Sequence, residues 1–237
     1  MDIIRANADT IFGLMAAWLV LFGAAIWSNR LALGLEKSLL WASLRGLLQL
    51  LVLAFVLQSI FGLQSHAAQA LVILFFCVLA AWNSAGHSHA SGISKAKVWM
   101  SVSIGLAVAC TLTLPWLAFS GSIDNTTRAL IPLGSMIAAN GMNAVSLMLT
   151  SMNRGDVVKE GLHAAMIPSV DTLKMVGLVH MPGIFVGMIL AGSTAMDAAS
   201  AQLIVLYMIV ASNFSACIVS FLMISYFRKM QNFSTCD

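Results

Sequence analysis

The chain has 237 residues, of which 60% are hydrophobic and 9% charged, with a mean hydropathy of +0.93. That balance excludes an ordinary soluble domain and leaves an integral membrane protein. The formal net charge of +3 is small and dispersed; it argues against a nucleic-acid partner and reads as loop charge that sets topology.

A bilayer core about 30 Å thick takes about 20 mostly apolar residues per helical span, so the length allows about six to eight spans and no separate soluble domain. Residues 1–237 read as a single transmembrane domain. Charges and turn residues mark out seven apolar runs: Ile11–Trp27, Ser38–Phe61, Ala67–Trp82, Val98–Phe119, Leu130–Met152, Met175–Ala191 and Ala201–Phe227. In lipid the backbone must pair within each segment, so every run is predicted helical, giving an all-α polytopic fold of about seven helices in contact with the bilayer. The first run follows Arg5 without a small-residue cleavage site and reads as a retained helix rather than a signal peptide. Pro132 sits near the start of the fifth run, where a missing N–H is expected to cost nothing.

Orientation follows from the basic residues. Arg30, Lys37, Lys95, Lys97, Arg154, Lys159, Lys174, Arg228 and Lys229 fall on one side of a seven-span arrangement, and only Arg5 and Arg128 on the other. The rule that cytoplasmic loops are basic then predicts an outer amino terminus and a cytosolic carboxyl terminus.

Polar groups inside the runs are the candidates for function, because Arg, Lys or Asp at a helix centre costs about 2.5–3.5 kcal/mol on insertion scales. Arg45 lies within the second run with Gln49 at i+4 on the same face. The pair fits a polar stripe toward a cavity, and fits equally an arginine snorkelling to the inner headgroups. In the fifth run, "GSMIAANGMNAVS" sets Asn140 and Asn143 at i, i+3 among small residues; close helix packing and an amide-lined substrate path are both open. "PSVDTLKMVGLVHMPG", Pro168 to Gly183, carries Asp171 and Lys174 at i, i+3 at the predicted inner boundary, and then His180 deeper in the sixth run. Pro182 should kink or interrupt that run, and replacing it by Ala should straighten it. Gly183 and Gly187 form a G-x-x-x-G, a common but weak packing signal. His180 and Met181 are possible metal ligands, yet adjacent helical side chains diverge by about 100° and form no chelate unaided.

Cys77, Cys110, Cys217 and Cys236 show no C-x-x-C or zinc spacing and read as free thiols. The fifteen methionines suit adaptable packing, and His87 and His89 read as loop residues. There is no G-x-x-x-x-G-K-[ST], H-E-x-x-H or G-x-S-x-G, so neither nucleotide hydrolysis by a phosphate loop nor familiar hydrolase chemistry is expected.

"ASLRGLLQLLVLAFVLQSIFG" (Ala42–Gly62), "AAWN" (Ala80–Asn83), "IPLGSMIAANGMNA" (Ile131–Ala144) and "IPSVDTLKMVGLVHMPGIFVGMILAG" (Ile167–Gly192) resemble the FetB-like permease family. Its bacterial members are implicated in iron export and its plant relatives in aluminium tolerance. The resemblance implies the permease subunit of an ABC-type exporter, which is not itself an enzyme and works with a separate ATP-binding subunit in a bacterial inner membrane. It further implies a homodimer of the permease, no cofactor held by this chain, and ATP in the partner. On that view Arg45, Gln49, Asn140, Asn143, Asp171 and Lys174 line or gate a path, with Pro182, Gly183 and Gly187 at a moving break. The segment between the fifth and sixth runs is shorter than the family pattern, which puts the ATPase docking element in doubt. A stand-alone channel or ion-coupled transporter, and a non-transporting scaffold, are the competing readings.

Overall fold

Apolar runs bounded by turn residues become long helices because lipid leaves backbone groups no partner but one another. The computed structural model describes residues 2–62, 65–87, 93–153 and 158–234. They form eight helices: α1 (Asp2–Arg30), α2 (Glu36–Phe61), α3 (His66–Ala85), α4 (Lys95–Phe119), α5 (Thr127–Asn153), α6 (Val158–Met175), α7 (Gly183–Leu190) and α8 (Ala195–Ser234). No strand occurs among the described residues, only an isolated bridge between Val176 and His180. His89, Arg154 and Cys236 lie outside the described residues.

The chain divides into two compact units, Met1–Gly62 and Leu63–Asp237. In the first, α1 turns into α2 through Ala32 and Gly34, both at positive φ. The turn is held by the Leu35 N–H donating to Ser28 Oγ at 3.2 Å, and Trp18 Nε1 donates to Ser43 Oγ between the helices at 3.4 Å.

In the second unit α4 packs most extensively on α8, and α5 lies against α3, α4, α6 and α8. The core is built from Cys77, Val98, Val102, Leu106, Ile137, Val145 and Met148 with Cys217 and Ile224. Glycine sets the closest approaches. A Cβ on Gly105 of α4 would overlap Ser220 Oγ and come within 2.8 Å of the Ala216 carbonyl on α8. One on Gly141 would lie 2.6 Å from the Leu106 side chain. The small residues of α5 therefore do serve close packing, as their composition suggested.

Among the described residues six helices are long and apolar enough to cross a membrane, in α1 to α5 and α8; the sixth predicted run departs from expectation. Met175–Ala191 is not one helix. Residues 176–182 interrupt it, leaving α7 only eight residues long, about 12 Å by helical rise. Conversely, Ile167–Lys174, expected as loop and boundary, is the second half of α6, packed on α5 and α8. Periodicity missed it because α6 carries Lys159, Glu160, His163, Asp171 and Lys174 among its apolar residues. Pro132 is the sixth residue of α5 rather than part of its first turn. Its missing N–H therefore leaves the Arg128 carbonyl without its usual donor.

Candidate functional site

The end of α6 explains the interruption. The chain leaves the helix at Gly177, whose φ of +80° is costly for any residue with a Cβ. The Gly177 N–H donates back to the His180 carbonyl at 3.0 Å, and the His180 N–H to the Met175 carbonyl at 3.2 Å. Pro182 then stands extended before α7, with φ −70° and ψ 152°. The break expected from Pro182 is present, but it begins at Val176, six residues earlier. α8 starts with a local cap: Thr194 Oγ1 accepts from the Asp197 N–H at 3.2 Å and donates to Asp197 Oδ2 at 2.6 Å. That side-chain pairing meets an orphan donor of the first turn and starts α8 six residues before its predicted boundary.

Just before the break, α5, α6 and α8 enclose a cavity of about 150 Å³, lined by Asn140 and Asn143 from α5, Pro168, Ser169 and Thr172 from α6, and Asn213 from α8. The i, i+3 spacing of Asn140 with Asn143, and of Ser169 with Thr172, turns each pair toward the same side of its helix. Asn140 Nδ2 donates to the Met136 carbonyl at 2.9 Å, and Thr172 Oγ1 to the Pro168 carbonyl at 2.8 Å. Asn213 Nδ2 donates to Ser169 Oγ at 2.7 Å, tying α8 to α6. Asn213 is 2% exposed, and its Oδ1 has no partner among the described residues. A buried acceptor left unmade costs about 1–3 kcal/mol. No ionisable side chain lines the space. The volume admits several waters, and the surrounding groups are neutral amides and hydroxyls able to replace them.

A larger cavity of about 500 Å³ lies among α3, α4 and α5. Its wall is mostly apolar and contains Cys77 and Cys110, whose Sγ atoms are 3.7 Å apart. At one end His66 Nδ1 meets Gln69 Oε1 at 3.2 Å, and Gln69 Nε2 donates to Thr127 Oγ1 at 2.7 Å. Size favours this cavity and chemistry favours the smaller one, where polar groups from three helices converge inside an apolar bundle.

The predicted residues separate accordingly. Asn140 and Asn143 join the small cavity. Asp171 and Lys174 pair with each other at 3.4 Å, both well exposed; such a pair contributes about 0–1 kcal/mol. His180 and Met181 are exposed in the break, and no cluster of three or more His, Cys, Asp or Glu able to hold a metal occurs among the described residues. Gly183 and Gly187 have nothing within 4 Å of where a Cβ would stand, so this G-x-x-x-G seats no helix of the second unit among the described residues. Arg45 and Gln49 are exposed on α2, which has no buried residue. Ser169, Thr172 and above all Asn213 were missed. Asn213 sits mid-run in "VASNFSAC", where the cost that drew attention to Arg45 applies to an amide as well.

Long apolar helices around an uncharged polar cavity define a multi-pass α-helical membrane protein. The chain belongs to the family described as Uncharacterised protein family (UPF0014), whose model matches residues 11–156 and 154–228. It is 31% identical to the Escherichia coli (strain K12) protein named "Probable iron export permease protein FetB" over 222 residues, covering 84% of each chain. It is also 31% identical to the rice "UPF0014 membrane protein STAR2" over 229 residues, 87% of this chain and 79% of that one. The Arabidopsis thaliana "Protein ALUMINUM SENSITIVE 3" is 28% identical over 219 residues, 82% of this chain and 78% of that one. No solved structure matches.

Proposed function

We propose that this chain is the permease subunit of an exporter that moves iron or another metal, free or complexed, out of the cytosol, driven by ATP hydrolysis in a separate subunit. The observation that carries the reading is the alignment with the E. coli protein named for iron export, which runs through most of both chains. The geometry supports transport in particular: an amide-lined cavity takes part of its wall from α6, the helix that ends at the break before α7, and transporters set interrupted helices where exposed backbone meets a path. The sequence has no phosphate loop of its own, in keeping with a partner that supplies the ATPase. On this reading the chain binds no cofactor, works as a homodimer in a bacterial inner membrane, and keeps its carboxyl terminus in the cytosol. Asp171 and Lys174, beside the break, are the proposed gating pair.

Deletion of the gene should raise cellular iron under iron load, and the restored chain should lower it only while its partner ATPase is active. Export by the purified chain alone in liposomes would replace this reading with a channel or an ion-coupled transporter. Unchanged metal content in the deletion strain would favour a scaffold.

A further inference from the structure

The larger cavity, among α3, α4 and α5, has two thiols in its wall. Cys77 is the twelfth of 20 residues in α3 and Cys110 the sixteenth of 25 in α4, so both stand near the middle of a membrane-spanning helix. Their Sγ atoms are 3.7 Å apart. Two metal–sulfur bonds of about 2.3 Å meeting at a tetrahedral angle place their sulfurs about 3.8 Å apart. The pair therefore already has the spacing of two thiolates on one ion. Sulfurs in simple contact stand at a similar distance, and what distinguishes this pair is the adjoining space of about 500 Å³, enough for an ion and its remaining ligands. A third helix contributes an oxygen nearby, since Cys110 Sγ is 4.0 Å from the Gly134 carbonyl of α5. Cys217 gives the contrast: it is equally buried, yet it lines neither cavity.

We infer that Cys77 and Cys110 form a two-thiolate site for a thiophilic divalent cation, where the cargo is held midway through the membrane. The inference rests on the export reading and names the class of cargo. Charge decides the valence. Each thiol gives up its proton on taking a metal, and two thiolates with a divalent ion sum to zero. A neutral complex suits a mostly apolar wall in lipid, whereas a monovalent ion would leave one negative charge buried there. Sulfur decides the softness, because thiolates select soft and borderline ions over Mg2+ or Ca2+. His66, at the far end of the cavity, is eleven residues and so about 16 Å by helical rise from Cys77, too far to share the ion. The remaining coordination positions are therefore left to water or to ligands that the ion brings with it. So incomplete a site grips an ion without enclosing it, and passage requires binding favourable enough to enter and weak enough to leave. Its depth also fits, since transporters hold their substrates near the bilayer midplane.

The test uses the full chain in lipid nanodiscs, with Cd2+ as probe and ultraviolet sulfur-to-metal charge-transfer absorption as readout. The parent should develop this band on titration, and excess Mg2+ should not remove it. No band in the parent, or a band abolished by Mg2+, would overturn the inference without recourse to any variant. Cys77→Ser and Cys110→Ser should each lose the band and weaken Cd2+ binding at least about tenfold, since even partners outside the ligand shell cost that much when removed. Cys217→Ser should keep both. A band retained in full by both cavity variants would overturn the inference. In cells, Cys110→Ser should slow iron export by a similar factor at equal membrane abundance; export at the parent rate would overturn the assignment of the pair to the cargo. The binding measurement needs neither ATPase nor transport, so its failure leaves the export reading standing, and the failure of that reading leaves the binding result intact.

Discussion

Single atoms decide how closely the helices of the second unit approach. Gly105 faces Ser220 Oγ and the Ala216 carbonyl, and backbone cannot yield as a flexible side-chain end can. Gly105→Ala should therefore cost about 1–3 kcal/mol, read as a lowered Tm of the purified protein. Gly187→Ala, with open space around it, should leave the Tm unchanged or raise it, since Ala is the better helix former. Thr194→Ala removes both side-chain bonds that begin α8. The expected loss is about 1 kcal/mol, seen as faster amide exchange in residues 195–198 with the helix centre unaffected.

At the scale of elements, the break between α6 and α7 is the main revision to what the sequence predicts. Pro182 advertised it, but Gly177 at φ +80° and the return bond to the His180 carbonyl hold it independently of any proline. Pro182→Ala is therefore expected to keep the interruption, with exchange protection over 176–182 little changed, rather than to straighten the run. Gly177→Val should disturb it, because a left-handed conformation costs an L-residue about 1–2 kcal/mol. The other helices were legible because long apolar runs bounded by charges admit few alternatives in lipid. α6 was hidden by its charges, and the cavity was half legible: Asn140 and Asn143 stood out as a spaced pair in one run, while Ser169 and Asn213 acquire meaning only when α6 and α8 are brought together. A bond such as Asn213 to Ser169, spanning 44 positions, leaves no periodic trace.

At the scale of the whole molecule, six helices among the described residues meet the length and composition needed for a crossing, whereas the basic-residue pattern implies seven spans. The two agree if α6, the break and α7 together make one interrupted crossing, which is the arrangement we propose. Alkaline phosphatase fused after Ser193 should then be active, and fused at the carboxyl terminus inactive. The opposite at the carboxyl terminus would mean that α6 and α7 enter and leave on the same side.

α8 runs for 40 residues, about 60 Å and so about twice the thickness of the hydrocarbon core. It is a continuous rod that touches the cavity at Asn213 and continues about 31 Å to Ser234 by helical rise. Pivoted at the cavity, a tilt of about 10° would swing that far end by about 5 Å, the rise of nearly one helical turn. Leverage thus comes with length: a change too small to alter the packing around the amides becomes a displacement at the helix tip large enough for another protein to grip or to drive.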